Sequence, residues 1–187
     1  MKARFALVLL ASLGIVGCAT DGTTTGGGAG APAPGPGATA TPPAGASQAF
    51  NKADFAWSAT PGKGEIEGQL LFKQGAVAYG CAEGGVALAP ETPYVRRRME
   101  ILYTSVEKAT LPAAEVRART PPERNQDYSS FVKRAICDAA GHFDFSGLAD
   151  GAWYVITVAR PVAPATGADM SIMRRVMVKG GKVKLTL

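Results

Sequence analysis

The pattern of apolar and polar positions predicts that the chain after residue 50 consists mainly of β-strands. Short segments alternate between apolar and polar residues, or are rich in β-branched and aromatic residues, and glycine, proline and aspartate separate them. Seven segments have this character: 64–72, 86–90, 135–137, 142–145, 152–158, 175–178 and 182–187. The sequence therefore predicts an all-β fold.

Turn residues between these segments predict two β-hairpins. Asp138 and Gly141 separate the strand at 135–137 from the strand at 142–145, at the positions where turn geometry favours them. Gly180-Gly181 separates the last two strands in the same way.

Alternation along each strand predicts which side chains face the core. Phe143 and Phe145 share one face of their strand, and His142 and Asp144 share the other. In the last strand, an inward row and an outward row are predicted: Val183, Leu185 and Leu187 inward, Lys182 and Lys184 outward.

One segment between the second and third strands has helical spacing. Val95, Met99, Leu102 and Val106 recur every three or four residues, which predicts an amphipathic helix over 94–108. Three consecutive arginines near its start oppose the helix dipole. A long loop is predicted to follow at 110–127, a stretch that contains three prolines.

The residues before the strands have a different composition. Lys2 and Arg4 precede an apolar stretch at 5–13, which has the length of a signal-peptide core and is too short to span a bilayer. From 19 to about 47 the chain is almost entirely Gly, Ala, Pro and Thr. Such a segment cannot bury enough surface to offset its ordering entropy, so a disordered tether with an end-to-end distance of about 30 Å is predicted.

The run Leu13-Gly14-Ile15-Val16-Gly17-Cys18 resembles the bacterial lipoprotein signal, whose lipobox ends in a cysteine. The resemblance implies a leader at 1–17, diacylglycerol on the Cys18 sulfur and a lipidated tether at 18–49. Several acyl chains on one residue give lasting membrane anchorage. Ala19 follows the cysteine, where an aspartate would favour the inner membrane, so the expected location is the periplasmic face of the outer membrane. The alternative is an ordinary secretory leader beside a chance cysteine.

Two cysteines remain once Cys18 is assigned to lipid, namely Cys81 and Cys137. An even number of cysteines in an exported chain predicts one disulfide, because the periplasm is oxidising. Two buried thiols packed as small apolar residues are the alternative.

Positive charge is concentrated between residues 91 and 134. The whole chain carries +5, of which Lys2 and Arg4 lie in the leader, and this segment has nine Lys or Arg against six Asp or Glu. A surface for an acidic partner or for lipid headgroups is one interpretation, and a solvated surface of mixed charge is the other. Nucleic acid is not an expected partner outside the cytoplasm. The candidate partner surface comprises six arginines: Arg96, Arg97, Arg98, Arg117, Arg119 and Arg124.

Several motifs together resemble the carboxypeptidase regulatory-like domain. They are Gly64-x-Ile66-x-Gly68, Gly85-Val86-x-Leu88-x-Pro90, the run from Cys137 to Leu148, Asp150-Gly151 and Trp153-Tyr154-Val155. The resemblance covers 64–187 and implies a prealbumin-like β-sandwich of about seven strands, within a domain at 50–187 that carries an insert at 91–134. Many members of that family have no catalytic residues, and fold analogy alone does not transfer a function.

The sequence contains few residues that could form a catalytic or metal-binding site. His142 is the only histidine, and no glycine-flanked nucleophile elbow is present, so no catalytic residue is assigned. Four residues are the candidates for metal binding, but their spacing matches neither zinc nor EF-hand sites: Asp138, His142, Asp144 and Asp150. No metal or other cofactor is therefore expected.

The sequence leaves two main functional hypotheses, and a catalytic role is the least favoured. The first is a non-catalytic interaction or structural module, anchored in the membrane by lipid, with an envelope protein as partner. The second is a carbohydrate-binding accessory lipoprotein, because five aromatic residues could stack on sugars: Trp57, Tyr94, Tyr103, Tyr128 and Trp153. Of these, Trp153 is predicted to lie in the core, and Trp57 is predicted to cover the edge of the sandwich.

Overall fold

A computed structural model describes residues 49–121 and 126–187. The leader at 1–17, Cys18 and the segment up to residue 48 lie outside these residues, so the predictions about them stay untested.

Nine strands dominate the part of the chain that is described, which confirms the all-β prediction. The strands are β1 Gly64–Gln69, β2 Lys73–Gln74, β3 Val77–Pro90, β4 Lys108–Pro112, β5 Lys133–Ala135, β6 His142–Leu148, β7 Gly151–Pro161, β8 Met170–Val178 and β9 Lys182–Thr186.

Short helices lie between the strands. A 3₁₀ turn at Lys52–Phe55 is followed by α1 Ala56–Ala59, α2 Pro93–Tyr103, α3 Ala113–Ala118 and α4 Gln126–Ser129. In the described ranges no helix is long and apolar enough to cross a membrane.

The strands form two sheets packed as a β-sandwich. In the small sheet the order is β6-β1-β9, with β6 antiparallel and β9 parallel to β1. In the large sheet the order is β2-β3-β7-β8-β4, and β5 pairs with β3 as well.

The main core lies between the two sheets. Phe143 and Phe145 face it from β6 and Ile66 from β1, opposite Trp153 and Val155 of β7. Phe143 needs a glycine opposite it, because a Cβ on Gly68 would lie 2.0 Å from the phenyl ring. The predicted inward and outward rows are confirmed for β6 and for the last strand, where Leu187 is buried and both lysines are exposed.

A second core lies on the outer face of the large sheet. There α2 packs Val95, Met99 and Leu102 against Tyr154 of β7 and Met173 of β8. Further side chains complete this core: Phe55, Ala89, Tyr103 and Val116, with the half-buried Phe50, Tyr94, Tyr128, Phe131 and Val132. The molecule therefore has three layers, two of strands and one of helices.

The insert at 91–134 supplies much of this third layer. Two predictions within it, the end of the helix and the loop at 110–127, were wrong. The helix ends at Tyr103, five residues before the predicted end, because Thr104 adopts a left-handed conformation with φ of 54°. The predicted loop over 110–127 instead begins with β4, an edge strand that pairs with β8 from Lys108 opposite Arg174 to Pro112 opposite Met170. An edge strand tolerates a terminal proline. The buried Ala113 and Val116 of α3 follow it.

Neither predicted hairpin forms. β5 pairs with β3 in the large sheet, whereas β6 pairs with β1 in the small sheet. The turn itself is present, since the Gly141 amide donates to the Asp138 carbonyl at 3.0 Å. The Gly180-Gly181 turn likewise connects β8 of the large sheet to β9 of the small one. Both turns carry the chain from one sheet to the other.

The predicted disulfide between Cys81 and Cys137 is confirmed, with the two Cα atoms 6.2 Å apart. It joins β3 of the large sheet to the segment that leads into β6 of the small sheet. The two cysteines are 56 residues apart in sequence. In the chain-entropy model, a disulfide that closes a loop of this length stabilises the folded state by about 4 kcal/mol, because it restricts the unfolded chain.

If the insert is part of the core, Met99→Ala should lower the free energy of unfolding by about 2–5 kcal/mol, because a side chain that is 1% exposed leaves a cavity. Ile101→Ala on the same helix is the control, and since Ile101 is 39% exposed its cost should stay below about 1 kcal/mol. Urea unfolding followed by tryptophan fluorescence measures both. Equal and small losses would show that α2 is only loosely attached.

Candidate functional site

A cleft of approximately 630 Å³ lies between α2, α1 and the start of β7. We call it the α2 cleft. It is lined by Trp57, Glu91, Thr92, Pro93, Arg96, Arg97, Glu100, Val106, Gly151 and Ala152. Its volume is within the range of small-molecule binding sites.

The start of α2 fixes one wall of this cleft. The Thr92 hydroxyl accepts a hydrogen bond from the Val95 amide at 3.2 Å and caps the helix, and Pro93 occupies the first helical turn. The spacing of Pro93, Arg96 and Glu100 then places these residues on one flank of the helix.

Trp57 forms the opposite wall. Its indole packs edge-on against the buried Trp153, with ring centroids 5.1 Å apart. The ring lies over Gly151, where a Cβ would come within 2.5 Å of it. Gly151 also has φ of 149°, which side-chain-bearing residues rarely adopt, so glycine is required there.

Glu91 is the electrostatic centre of the cleft. Its carboxylate accepts hydrogen bonds from Arg96 at 2.8 Å, from the Arg175 Nε at 2.7 Å and from the Tyr154 hydroxyl at 3.3 Å. The side chain is only 14% exposed. Burial raises the pKa of the Glu91 carboxyl, but the hydrogen bonds from Arg175 and Arg96 outweigh burial, so the net pKa lies below its ordinary value.

Tyr154 remains protonated beside this carboxylate. Burial, and next the negative charge of Glu91, raise the pKa of Tyr154 to about 12. Its hydroxyl therefore donates to Glu91 at neutral pH. Together these groups tie β3, α2, β7 and β8 to one another directly beneath the cleft.

The arginines of the predicted partner surface are divided between several places. Arg96 and Arg97 line the cleft, where they pair with Glu91 at 2.8 Å and Glu100 at 2.7 Å. Arg98 lies on the opposite flank of α2, over the Tyr128 ring at 5.7 Å. Arg119 pairs with Glu115 and donates to the Leu102 carbonyl, while Arg117 is exposed on α3. Arg124 lies outside the described residues.

A second cleft, of approximately 440 Å³, lies beside β6 and contains the only histidine. His142 Nδ1 lies 3.1 Å from Asp138 Oδ2, and both side chains are more than half exposed. Hydrogen bonds to Asp138, first that of the His142 backbone amide, lower the pKa of this carboxyl. The lining residues contain no serine, threonine or cysteine: Glu67, Gly68, Ile136, Asp138, His142, Phe143 and Asp144.

Three of the four metal candidates, Asp138, His142 and Asp144, line the second cleft, whereas Asp150 does not. The Asp150 carboxylate accepts a hydrogen bond from the Gly180 amide at 2.6 Å and so stabilises a turn. Within the described ranges, no group of three or more His, Cys, Asp or Glu side chains is arranged to hold a metal ion.

Most of the α2 cleft was not predicted from the sequence. Arg96, Arg97 and Trp57 were candidate binding residues, whereas Glu91 and Glu100 were not, and Gly151 was noted only as part of a turn motif. One signal was available for Glu91, because a carboxylate directly after a strand and five residues before Arg96 can reach back to the start of the helix.

Comparison with solved structures supports the fold. The chain is similar to a crystal structure from Pseudomonas aeruginosa described as a "putative carbohydrate binding protein", with 24% sequence identity and a TM-score of 0.51. The similarity covers 74% of this chain and 97% of that chain. No protein-family model matches the chain, and no curated protein sequence is significantly similar to it. The class that the fold defines is thus an all-β sandwich.

The ion pairs of Glu91 predict a specific dependence of stability on pH. A carboxyl whose pKa is lower in the folded state stabilises the protein fully above the unfolded pKa, about 4.3, and loses this contribution as the pH falls through the folded pKa. Glu91→Gln should therefore lower the free energy of unfolding by about 1–3 kcal/mol at pH 7. The difference from the native protein should shrink as the pH falls below about 4.3.

Urea titrations from pH 7 to pH 3 measure this difference. Glu100→Gln is the control, because the Glu100 side chain is 56% exposed and its loss should cost no more than about 0.5 kcal/mol. A difference between Glu91→Gln and the native protein that does not change with pH would contradict the assigned role of the Glu91 charge.

Proposed function

We propose that this protein is a lipid-anchored protein of the bacterial envelope, whose β-sandwich is a non-catalytic binding module with a carbohydrate as ligand. The anchor rests on the leader and on Cys18, and the expected location is the periplasmic face of the outer membrane. The resemblance to the carboxypeptidase regulatory-like domain fits an accessory role. A protein partner in the envelope is the second candidate.

The chemistry of the α2 cleft carries the carbohydrate proposal. A sugar presents hydroxyl groups that both donate and accept hydrogen bonds, and an apolar face of C–H groups. The cleft offers a half-buried indole, Trp57, beside two guanidinium groups and two carboxylates. Arginine donates in a planar fork and glutamate accepts with two oxygens, so adjacent hydroxyls can be held by both.

The charge of the cleft favours a neutral sugar. Arg96 and Arg97 are balanced by Glu91 and Glu100, and each guanidinium already has a carboxylate partner. An anionic ligand would have to compete with these carboxylates, whereas a hydroxyl group can join the existing hydrogen-bond network. The description of the Pseudomonas aeruginosa structure is consistent with such a ligand.

The lining of both clefts supports a non-catalytic role. Thr92 contributes the hydroxyl group of the α2 cleft, and it is buried and occupied as the helix cap. His142 has Asp138 as a partner but no nucleophile among the residues of its cleft. Acyl transfer of the Ser-His-Asp type needs all three groups in contact.

Binding to an array of neutral oligosaccharides, followed by calorimetry with the best ligand, tests the proposal on the chain from Ala19 to Leu187. Trp57→Ala and Arg97→Ala should each weaken binding by at least about tenfold, since each removes one contact in the cleft. Arg97→Ala leaves the ion pairs of the buried Glu91 intact. Weaker binding by this variant would therefore report the loss of a ligand contact and not a loss of folding stability.

His142→Ala, in the other cleft, is the matched control and should bind normally. Gly151→Ala should also weaken binding, because the new Cβ displaces the Trp57 ring. Absence of any oligosaccharide ligand would contradict the carbohydrate proposal and favour a protein partner. Normal oligosaccharide binding by both Trp57→Ala and Arg97→Ala would show that the α2 cleft is not the binding site.

A further inference from the structure

A cluster of aromatic rings lies where the described chain begins, on the side of α2 away from the cleft. Phe50 packs against Tyr94 at 5.6 Å and against Phe131 at 6.3 Å between ring centroids, and Tyr94 packs against Tyr128 at 5.6 Å. All four side chains are partly exposed. They therefore form an aromatic surface at the point where the predicted tether enters the domain.

The flank of α2 beside these rings adds a cation and an exposed aliphatic residue. Tyr94, Arg98 and Ile101 recur at spacings of four and three, so they lie on one flank of the helix. Arg98 lies over the Tyr128 ring at 5.7 Å, and Ile101 is 39% exposed. The opposite flank bears Arg96 and Glu100 of the cleft.

Two further cations follow these aromatic residues closely in the chain. Lys52 is exposed in the 3₁₀ turn two residues after Phe50. Arg134 is opposite Ala87 in the pairing of β5 with β3, which places it on the same face of the sheet as Ala89 and the second core. We call the set Phe50, Lys52, Tyr94, Arg98, Ile101, Tyr128, Phe131 and Arg134 the aromatic-cationic face.

The cations of this face differ from those of the cleft. In the described part of the chain, Lys52, Arg98 and Arg134 form no ion pair with a carboxylate, whereas Arg96 and Arg97 each form one. Two acidic residues are near the face in the described chain: Asp54, whose carboxylate accepts a hydrogen bond from the Asn51 side chain, and Asp127, which precedes Tyr128 in α4. Three cations against these two acidic residues leave the described part of the face with a small excess of positive charge.

We propose that the aromatic-cationic face rests on the anionic phospholipid surface of the membrane to which the chain is anchored. This inference depends on the lipid anchor of the proposed function. Aromatic side chains favour the headgroup region, and each lysine or arginine near an anionic surface strengthens binding by about fivefold. Three cations and a few rings give weak binding in solution.

The predicted tether makes weak binding sufficient. About 30 residues separate Cys18 from Phe50, and a tether of this length, if it is as disordered as its composition predicts, would hold the domain at an effective concentration near the millimolar range. Because Phe50 belongs to the face, the chain emerges beside the surface that would contact the membrane. The opposite flank of α2, with the cleft, then points away from the bilayer.

Co-sedimentation with vesicles tests this inference on the chain from Ala19 to Leu187, which lacks the lipid. Partition onto vesicles of phosphatidylglycerol and phosphatidylethanolamine should exceed partition onto phosphatidylcholine vesicles at least tenfold at low salt, and the excess should fall as salt is added. Arg98→Glu combined with Arg134→Glu should lower the partition onto anionic vesicles by at least about tenfold.

Lys73→Glu combined with Lys184→Glu is the matched control. It changes the net charge equally, but Lys73 is on the short strand β2 and Lys184 is on β9 of the small sheet, so neither belongs to the face. The control should bind as the native chain does, within about twofold. Equal loss in both double variants, or no preference for anionic vesicles, would overturn the inference.

The anchor is tested separately, in cells. Cys18→Ser in the full chain should release the protein from the membrane fraction or leave its leader uncleaved. Normal processing with unchanged membrane partition would refute the anchor without affecting the vesicle result.

Discussion

The burial of β7 on both faces is the constraint on which the rest of the structure depends. Trp153 and Val155 face the small sheet, and Tyr154 between them faces the helices, all three without exposed surface. An antiparallel sheet in a two-layer sandwich ordinarily leaves one face to solvent. Here the outer face of the large sheet carries Tyr154 and Met173, so a third layer must cover it. Left uncovered, this face would be a large exposed apolar patch.

The covering layer also determines where binding surfaces can form. The buried residues of α2 pack against the sheet along one side of the helix, and the two flanks beside them lie at the surface. On one flank Glu91 joins Arg96 to Arg175 and Tyr154, so the charged wall of the cleft is bonded to the sheet beneath it. On the other flank the aromatic rings connect α2 to the entry of the chain. A single element thus stabilises the sandwich and presents two surfaces of different chemistry.

Local patterns in the sequence predicted the positions of the strands better than they predicted which strands pair with one another. Strands such as 152–158 and the inward position of Phe143 followed from residue type and alternation. Residue type and alternation did not predict which sheet β5, β6, β8 and β9 join. Turn residues show that the chain reverses, but they do not show which strand the next strand pairs with. β4 escaped detection since Pro112 suggested a loop, and its partner β8 is about sixty residues away. The continuous apolar run around Tyr154 was the available sign that both faces of β7 are buried.

Native-state hydrogen exchange, resolved by residue, tests most directly whether the helical layer is part of one cooperative core. If it is, the amides of Met99 and Leu102 in α2 should exchange with the same opening free energy as those of Tyr154 and Val155 in β7, and all four should follow global unfolding. Exchange of the α2 amides through a local opening of much lower free energy, while β7 stays protected, would contradict a single cooperative core.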